Sequence, residues 1–213
     1  MSQLLMQMLR GTLVSFQVFS LTLLFSLPLG MLVAKGKMSK IWIIRTLVNI
    51  YIMIMRGTPL ILQLIFVYFG PYYIFGTSYD RMTAVIVAYV INYAAYFAEI
   101  YRGGIQSIPK GQYEAARVLG FTKAHTATHI IFPQVFREII PAMGNEVITL
   151  IKDTALAQTI GVAELFRVAQ TASAREFSTT PLFVAGIFYF VMNAFVARAF
   201  DKMEEKLNYY EKK

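Results

Sequence analysis

Pro109-Lys-Gly-Gln-Tyr-Glu-Ala-Ala-Arg-Val-Leu-Gly-Phe-Thr-Lys-Ala-His-Thr-Ala-Thr-His-Ile-Ile-Phe-Pro133 is a polar, helix-prone island between strongly apolar stretches. Proline suits the first turn of a helix, where its missing N–H is not needed, so Pro109 predicts a helix start. Gln112 to Leu119 supplies good helix formers. Gly120 can close that helix in a left-handed conformation, and Thr122 can cap a following one. The spacing therefore predicts two short helices with a bend between them. An element this polar does not sit in hydrocarbon. It belongs at a membrane surface, facing water or another protein.

Within the island, Glu114-Ala115-Ala116 is followed after three residues by Gly120, and after nine more by Ile130-Ile131-Phe132-Pro133. This pattern resembles the Glu-Ala-Ala motif of ABC-importer permeases and departs from it only at Phe132, where that family usually has Leu. The resemblance implies an all-α membrane protein of the type I ABC-importer permease fold, with about five transmembrane helices. It also implies that loop 104–130 carries a cytoplasmic coupling helix, gripped by a separate ATPase subunit at Tyr113, Glu114, Ala115, Ala116, Leu119, Gly120 and Pro133. Gly120→Asp, or a bulky residue at Ala115, is then expected to uncouple hydrolysis from transport, because a close backbone approach leaves no room for a side chain.

The composition agrees with a membrane protein. The chain has 213 residues, 57% of them hydrophobic, and suits one domain. Its net charge of +8 need not mean nucleic acid, because a membrane protein holds basic residues on the cytoplasmic side. Cysteine is absent, which excludes disulfides, thiolate catalysis and zinc–sulfur sites. His125 and His129 lie four apart, but with no third ligand they read as surface histidines rather than a metal site.

Met1 to Arg10 places Leu4, Leu5, Met8 and Leu9 on one helical face, which predicts a short interfacial lead-in. Spans are predicted at about 11–34, 45–69, 82–103, 134–154 and 177–197. The second contains Arg56-Gly57-Thr58-Pro59, so proline should kink or break it. The third carries Tyr89, Asn92, Tyr96 and Glu99 on one stripe, which should face protein or a water-filled passage rather than lipid. The fourth is interrupted by Glu138, Glu146, Lys152 and Asp153, so a strict hydropathy count can miss it. Residues 155–176 read as a helical return on the outer side. Of 20 basic residues, only Arg10, Arg81, Arg167 and Arg175 fall in the predicted outer segments. That asymmetry puts the N-terminus outside and the C-terminus, with Lys212 and Lys213, in the cytoplasm.

Further segments extend the resemblance from about Gly11 to Tyr209. They are Arg56-Gly-Thr-Pro-Leu60, Glu99 with Arg102-Gly-Gly104, Lys152-Asp-Thr-Ala-Leu156 and Gly161-Val-Ala-Glu-Leu165. They resemble polar amino-acid permeases. Candidate substrate contacts are Asp153, Thr154, Glu164, Asn92, Arg56, Thr58, Gln158 and Glu146. The intramembrane carboxylates favour a basic amino acid (arginine, lysine or histidine), with glutamine or another polar amino acid as the alternative, and an ion-coupled carrier or channel as a third reading. No phosphate-binding loop is present, since Gly36-Lys37 lacks the required glycine at Met31. The chain should therefore bind no cofactor itself and be no enzyme, with ATP and Mg held by the partner. Expected partners are two ATP-binding subunits, a second permease chain (the same or a close paralogue), an external amino-acid-binding protein and membrane lipid, in a bacterial or archaeal cell membrane.

Overall fold

The computed structural model describes residues 2–207, so Tyr209, Lys212 and Lys213 lie outside the described residues. Every regular element among them is helical. Helix α1 (Ser2–Lys37) is followed by α2 (Trp42–Gly57), α3 (Leu60–Phe75) and α4 (Arg81–Ser107). The polar island holds α5 (Lys110–Val118) and the single turn α6 (Lys123–His125). A π-helical turn, Thr126–Ile131, leads into α7 (Phe132–Asp153), and a 3₁₀ segment, Thr154–Ile160, leads on to α8 (Leu165–Glu176) and α9 (Thr180–Leu207).

Helix α4 is the centre of the molecule. Asp80 starts it by accepting from the Thr83 backbone N–H at 3.1 Å, and this hydrogen bonding holds the exposed Asp80 carboxyl below its usual range. Ala84, Ala88, Ala94, Ala95 and Ala98 are buried along α4, and these small side chains let neighbouring helices come close. Gly30 of α1 shows how close. A Cβ there would stand 2.9 Å from the Phe97 Cβ and 3.2 Å from the Ala94 carbonyl oxygen. In lipid, where apolar surface gives no advantage over solvent, such backbone-to-backbone packing is what holds helices together.

Two expectations need correction, and a third narrows. The predicted lead-in is not a separate interfacial helix, because residues 2–37 form one rod. Leu4 and Met8 are buried against α8 and α9, while Leu5 and Leu9 are exposed. The second predicted span is broken at Pro59, not merely kinked. Helices α2 and α3 turn by 109° at the break, and each, at 16 residues, is only about 24 Å long. The second short helix of the polar island is not free-standing either. Thr126 and Phe132 keep right-handed helical angles, so α6, the π-turn and α7 run on as one piece.

Three described helices are long and apolar enough to cross a membrane (Gln3–Lys37, Arg81–Ser107 and Thr180–Leu207), and the bent α2–α3 pair makes a fourth if taken as one. Helix α7 has 22 residues, about 33 Å, but its charged residues keep it out of that count. Much of the outward surface is apolar, with Phe66, Phe183, Phe190 and Phe195 all strongly exposed, as lipid-facing helices require.

Candidate functional site

The α2–α3 break organises the middle of the molecule. Pro59 has no N–H to give the Met55 carbonyl, four residues back. Two side chains replace it: Asn92 Nδ2 donates to that oxygen at 3.0 Å and Gln63 Nε2 also at 3.0 Å. Asn92 Nδ2 donates further to Gln63 Oε1 at 2.9 Å. The Thr58 hydroxyl, exposed at the bend, donates to the Ile54 carbonyl at 2.8 Å. Asn92 is thus occupied in closing the break. Gln63 was not anticipated, although it is the lone polar side chain between Leu60 and Phe66.

Beyond the break lies a cluster of charges. The Arg56 guanidinium sits 5.3 Å from the centre of the Tyr96 ring and 3.6 Å from Glu99. Glu99 also receives Lys37, from the end of α1, and Arg102, at 2.9 Å. The chain therefore leaves Glu99 at Lys37 and returns to it at Arg56, in the last turn of α2. Three cations on one carboxylate leave excess positive charge at this depth. Two further carboxylates act from α7. Asp153 accepts from the Tyr93 hydroxyl at 2.7 Å, and its backbone carbonyl accepts from the Tyr89 hydroxyl at 2.7 Å. Glu146 is half-buried and feels both Arg56 and Asp153 electrostatically. Among the described residues no cation stands within ion-pair distance of Glu146 or Asp153.

The remaining candidates are placed differently. Glu164 is fully buried and caps α8, accepting from the Phe166 and Arg167 backbone N–H groups at 2.7 and 2.6 Å. It accepts also from Tyr189 at 2.9 Å and Ser15 at 3.4 Å. Four donors on one carboxylate tie α1, α8 and α9 together. The buried Thr154 hydroxyl donates to the Ile151 carbonyl at 2.7 Å. Gln158 is half-buried on the 3₁₀ segment. Glu146 is thus linked electrostatically to Arg56 and to Asp153, and Glu164 stands in a separate network.

The polar island ends α5 in a Schellman motif. Gly120 has φ of 76°, its N–H donates to the Arg117 carbonyl at 3.0 Å, and the Phe121 N–H donates to the Ala116 carbonyl at 3.0 Å. This accounts for the Ala116–Gly120 spacing: the small buried residue is the third from the helix end and glycine is the left-handed position. A Cβ at Gly120 would meet nothing within 4 Å, so no close approach within this chain requires glycine; the backbone angle does. Thr122 restarts the helix by accepting from the His125 N–H at 3.2 Å. Pro133 lies in the first turn of α7. Glu114 and Ala115 are exposed, and Tyr113, Val118 and Leu119 present an apolar face to water, Val118 being 88% exposed. A cleft of about 640 Å³ opens beside them, lined by Tyr113, Arg117, Phe121, Thr122 and Thr126. Exposed apolar side chains on a charged surface element are a docking feature. His125 and His129 stack at 4.2 Å, and among the described residues no group of three or more His, Asp or Glu is placed to hold a metal ion.

Comparison with known proteins agrees with this geometry. Residues 26–209 match the model of the family described as binding-protein-dependent transport system inner membrane component. A putative glutamine transport system permease protein of Rickettsia conorii is 35% identical over 196 residues, 90% of each chain. The arginine transport system permease protein of Bacillus subtilis is 36% identical over 204 residues, 93% of this chain and 91% of that one. A crystal structure of an amino acid ABC transporter with histidines contains a chain of TM-score 0.89 and 34% identity, covering 97% of this chain and 96% of that one. The chain belongs to the family of binding-protein-dependent transport system inner membrane components, the permease subunits of ABC importers, which leave ATP hydrolysis to a separate subunit.

Proposed function

We propose that this chain is the permease of an ATP-driven importer for a polar amino acid with a cationic side chain. The observation that carries the cargo reading is the charge layout around the break. Arg56 is exposed and in excess of its partners, and would take the α-carboxylate. Glu146 and Asp153 have no described ion-pair partner, and would take the α-ammonium and a cationic side chain. Thr58 and Gln158 stand as further polar contacts. Asn92, Thr154 and Glu164 read as structural, because donors or acceptors of this chain already occupy them. The relatives named for glutamine and arginine support an amino acid as cargo.

In this reading α1, the α2–α3 pair, α4, α7 and α9 make five crossings, with the N-terminus outside and the C-terminus in the cytoplasm. Two copies of the chain, or this chain and a paralogue, pair so that two elbows meet two ATPase subunits. An external binding protein delivers cargo. Nucleotide binding drives alternating access only to the extent that the ATPase pair fits one state of the permease better than the other.

The experiment is ATP-driven uptake by the complete complex in liposomes, with arginine and glutamine compared. Asp153→Asn and Glu146→Gln should each weaken arginine uptake, and the one that removes the partner of the cationic side chain should leave glutamine little changed, whereas the one that removes the partner of the α-ammonium should weaken both. An unaltered preference in both variants would overturn the basic-cargo reading. It would favour glutamine, whose amide the Tyr93–Asp153 pair also suits.

A further inference from the structure

A second cleft lies between the end of α1 and the start of α7. Its walls are two stripes at helical spacing. Helix α1 supplies Met31, Ala34 and Lys35, with Met38 just past its end; helix α7 supplies Phe132, Val135, Phe136 and Ile139; Tyr101 and Ile105 of α4 form the floor. Each wall runs over eight residues, about 10.5 Å of rise where helical. Two apolar helix faces thus confront each other across an open gap, in a chain that elsewhere packs its helices to backbone contact.

Among the described residues, Lys35 is the only charge lining this gap. It contrasts with Lys37, two residues on, which is turned inward and neutralised by Glu99. Lys35 is exposed and has no ion-pair partner among the described residues. Charge separates the possible occupants. A lone cation on an otherwise apolar slot suits an anionic headgroup above a hydrocarbon chain, and the two flexible methionines can close around that chain.

We propose that this cleft is a site for one anionic glycerophospholipid of the cytoplasmic leaflet, its acyl chain between α1 and α7 and its phosphate on Lys35. The location gives the lipid a mechanical role. Ile105 and Phe132 line this cleft on one side and the coupling cleft on the other. A filled site braces the root of the elbow from the membrane side. It rests on the inward placement of the α1 end, not on which amino acid is carried.

The test is native mass spectrometry of the complete transporter released from nanodiscs of mixed phosphatidylglycerol and phosphatidylcholine. The wild type should retain phosphatidylglycerol in preference. Lys35→Glu should cut that preference about fivefold or more, the factor one lysine at an anionic membrane supplies. Met31→Trp, at a residue 59% exposed, should block the mouth and lower retention of both lipids. No preference in the wild type, or an unchanged one in Lys35→Glu, would overturn the site. Met31→Cys would be the only thiol in the chain. Its efficient cross-linking to a second permease chain or to the ATPase would show a protein in the cleft, and would overturn it as well.

Discussion

Asn92 Nδ2 donates to the Met55 carbonyl oxygen across 3.0 Å, taking the place of the backbone donor that Pro59 lacks. The exchange is specific enough to reverse. Asn92→Ala leaves that oxygen to Gln63 alone, and the double variant with Gln63→Leu leaves it with neither side-chain donor. The double variant should lower stability by about 1–3 kcal/mol, read as an earlier melting of the purified transporter. Pro59→Ala restores an N–H at the break, so it should recover much of the loss. If Pro59→Ala instead deepens the loss, the orphaned carbonyl is not the reason Asn92 is buried.

Glu99 is the counter-charge for Lys37, Arg56 and Arg102. Glu99→Gln should leave three cations facing one another near the C-terminal ends of α1, α2 and α4. Because these groups are partly exposed, the cost should be modest, about 1–2 kcal/mol, and should shrink as salt rises. Lys37→Gln added to Glu99→Gln should relieve it. Melting curves at low and high salt for the single and double variants measure both effects.

Gly120 holds φ of 76° with open space around its missing side chain. Asparagine tolerates that angle and valine does not. Gly120→Asn should therefore keep uptake per ATP within about twofold of wild type, whereas Gly120→Val should strain the Schellman turn by roughly 1–2 kcal/mol and uncouple hydrolysis from uptake. Parallel ATPase and transport assays separate the two. Equal loss in both variants would point to contact with the ATPase subunit as the constraint, in place of the backbone angle.

Glu164 is a helix cap buried among four donors. Glu164→Ala should destabilise the fold by about 2–4 kcal/mol, while the fraction that folds should keep its cargo preference. A changed preference at wild-type stability would return Glu164 to the transport path.

The polar island shows what local rules can and cannot disclose. Its α5 helix, the turn at Gly120 and the cap at Thr122 were legible because each depends on a few neighbouring residues. The π-turn that fuses the second helix to α7 was not, since no residue type marks it. The proline break was legible at Pro59, but its 109° bend depends on how α4 receives α2 and α3. Charge patterns were legible as charges only. Lys37 read as a marker of the cytoplasmic side, and nothing in its spacing tied it to Glu99, 62 residues away. Likewise Glu164 and Asp153 are both carboxylates in apolar surroundings, and only the packing of α8 and α9 assigns one to a cap and leaves the other to the Tyr93 hydroxyl.

The π-turn at Thr126–Ile131 carries one residue more than an α-helix would fit into the same rise. Absorbing that residue into regular winding would turn the upstream elbow about 100° around the α7 axis. The joint between the polar island and α7 thus holds a reserve of rotation in its own backbone, a swivel rather than a rigid handle.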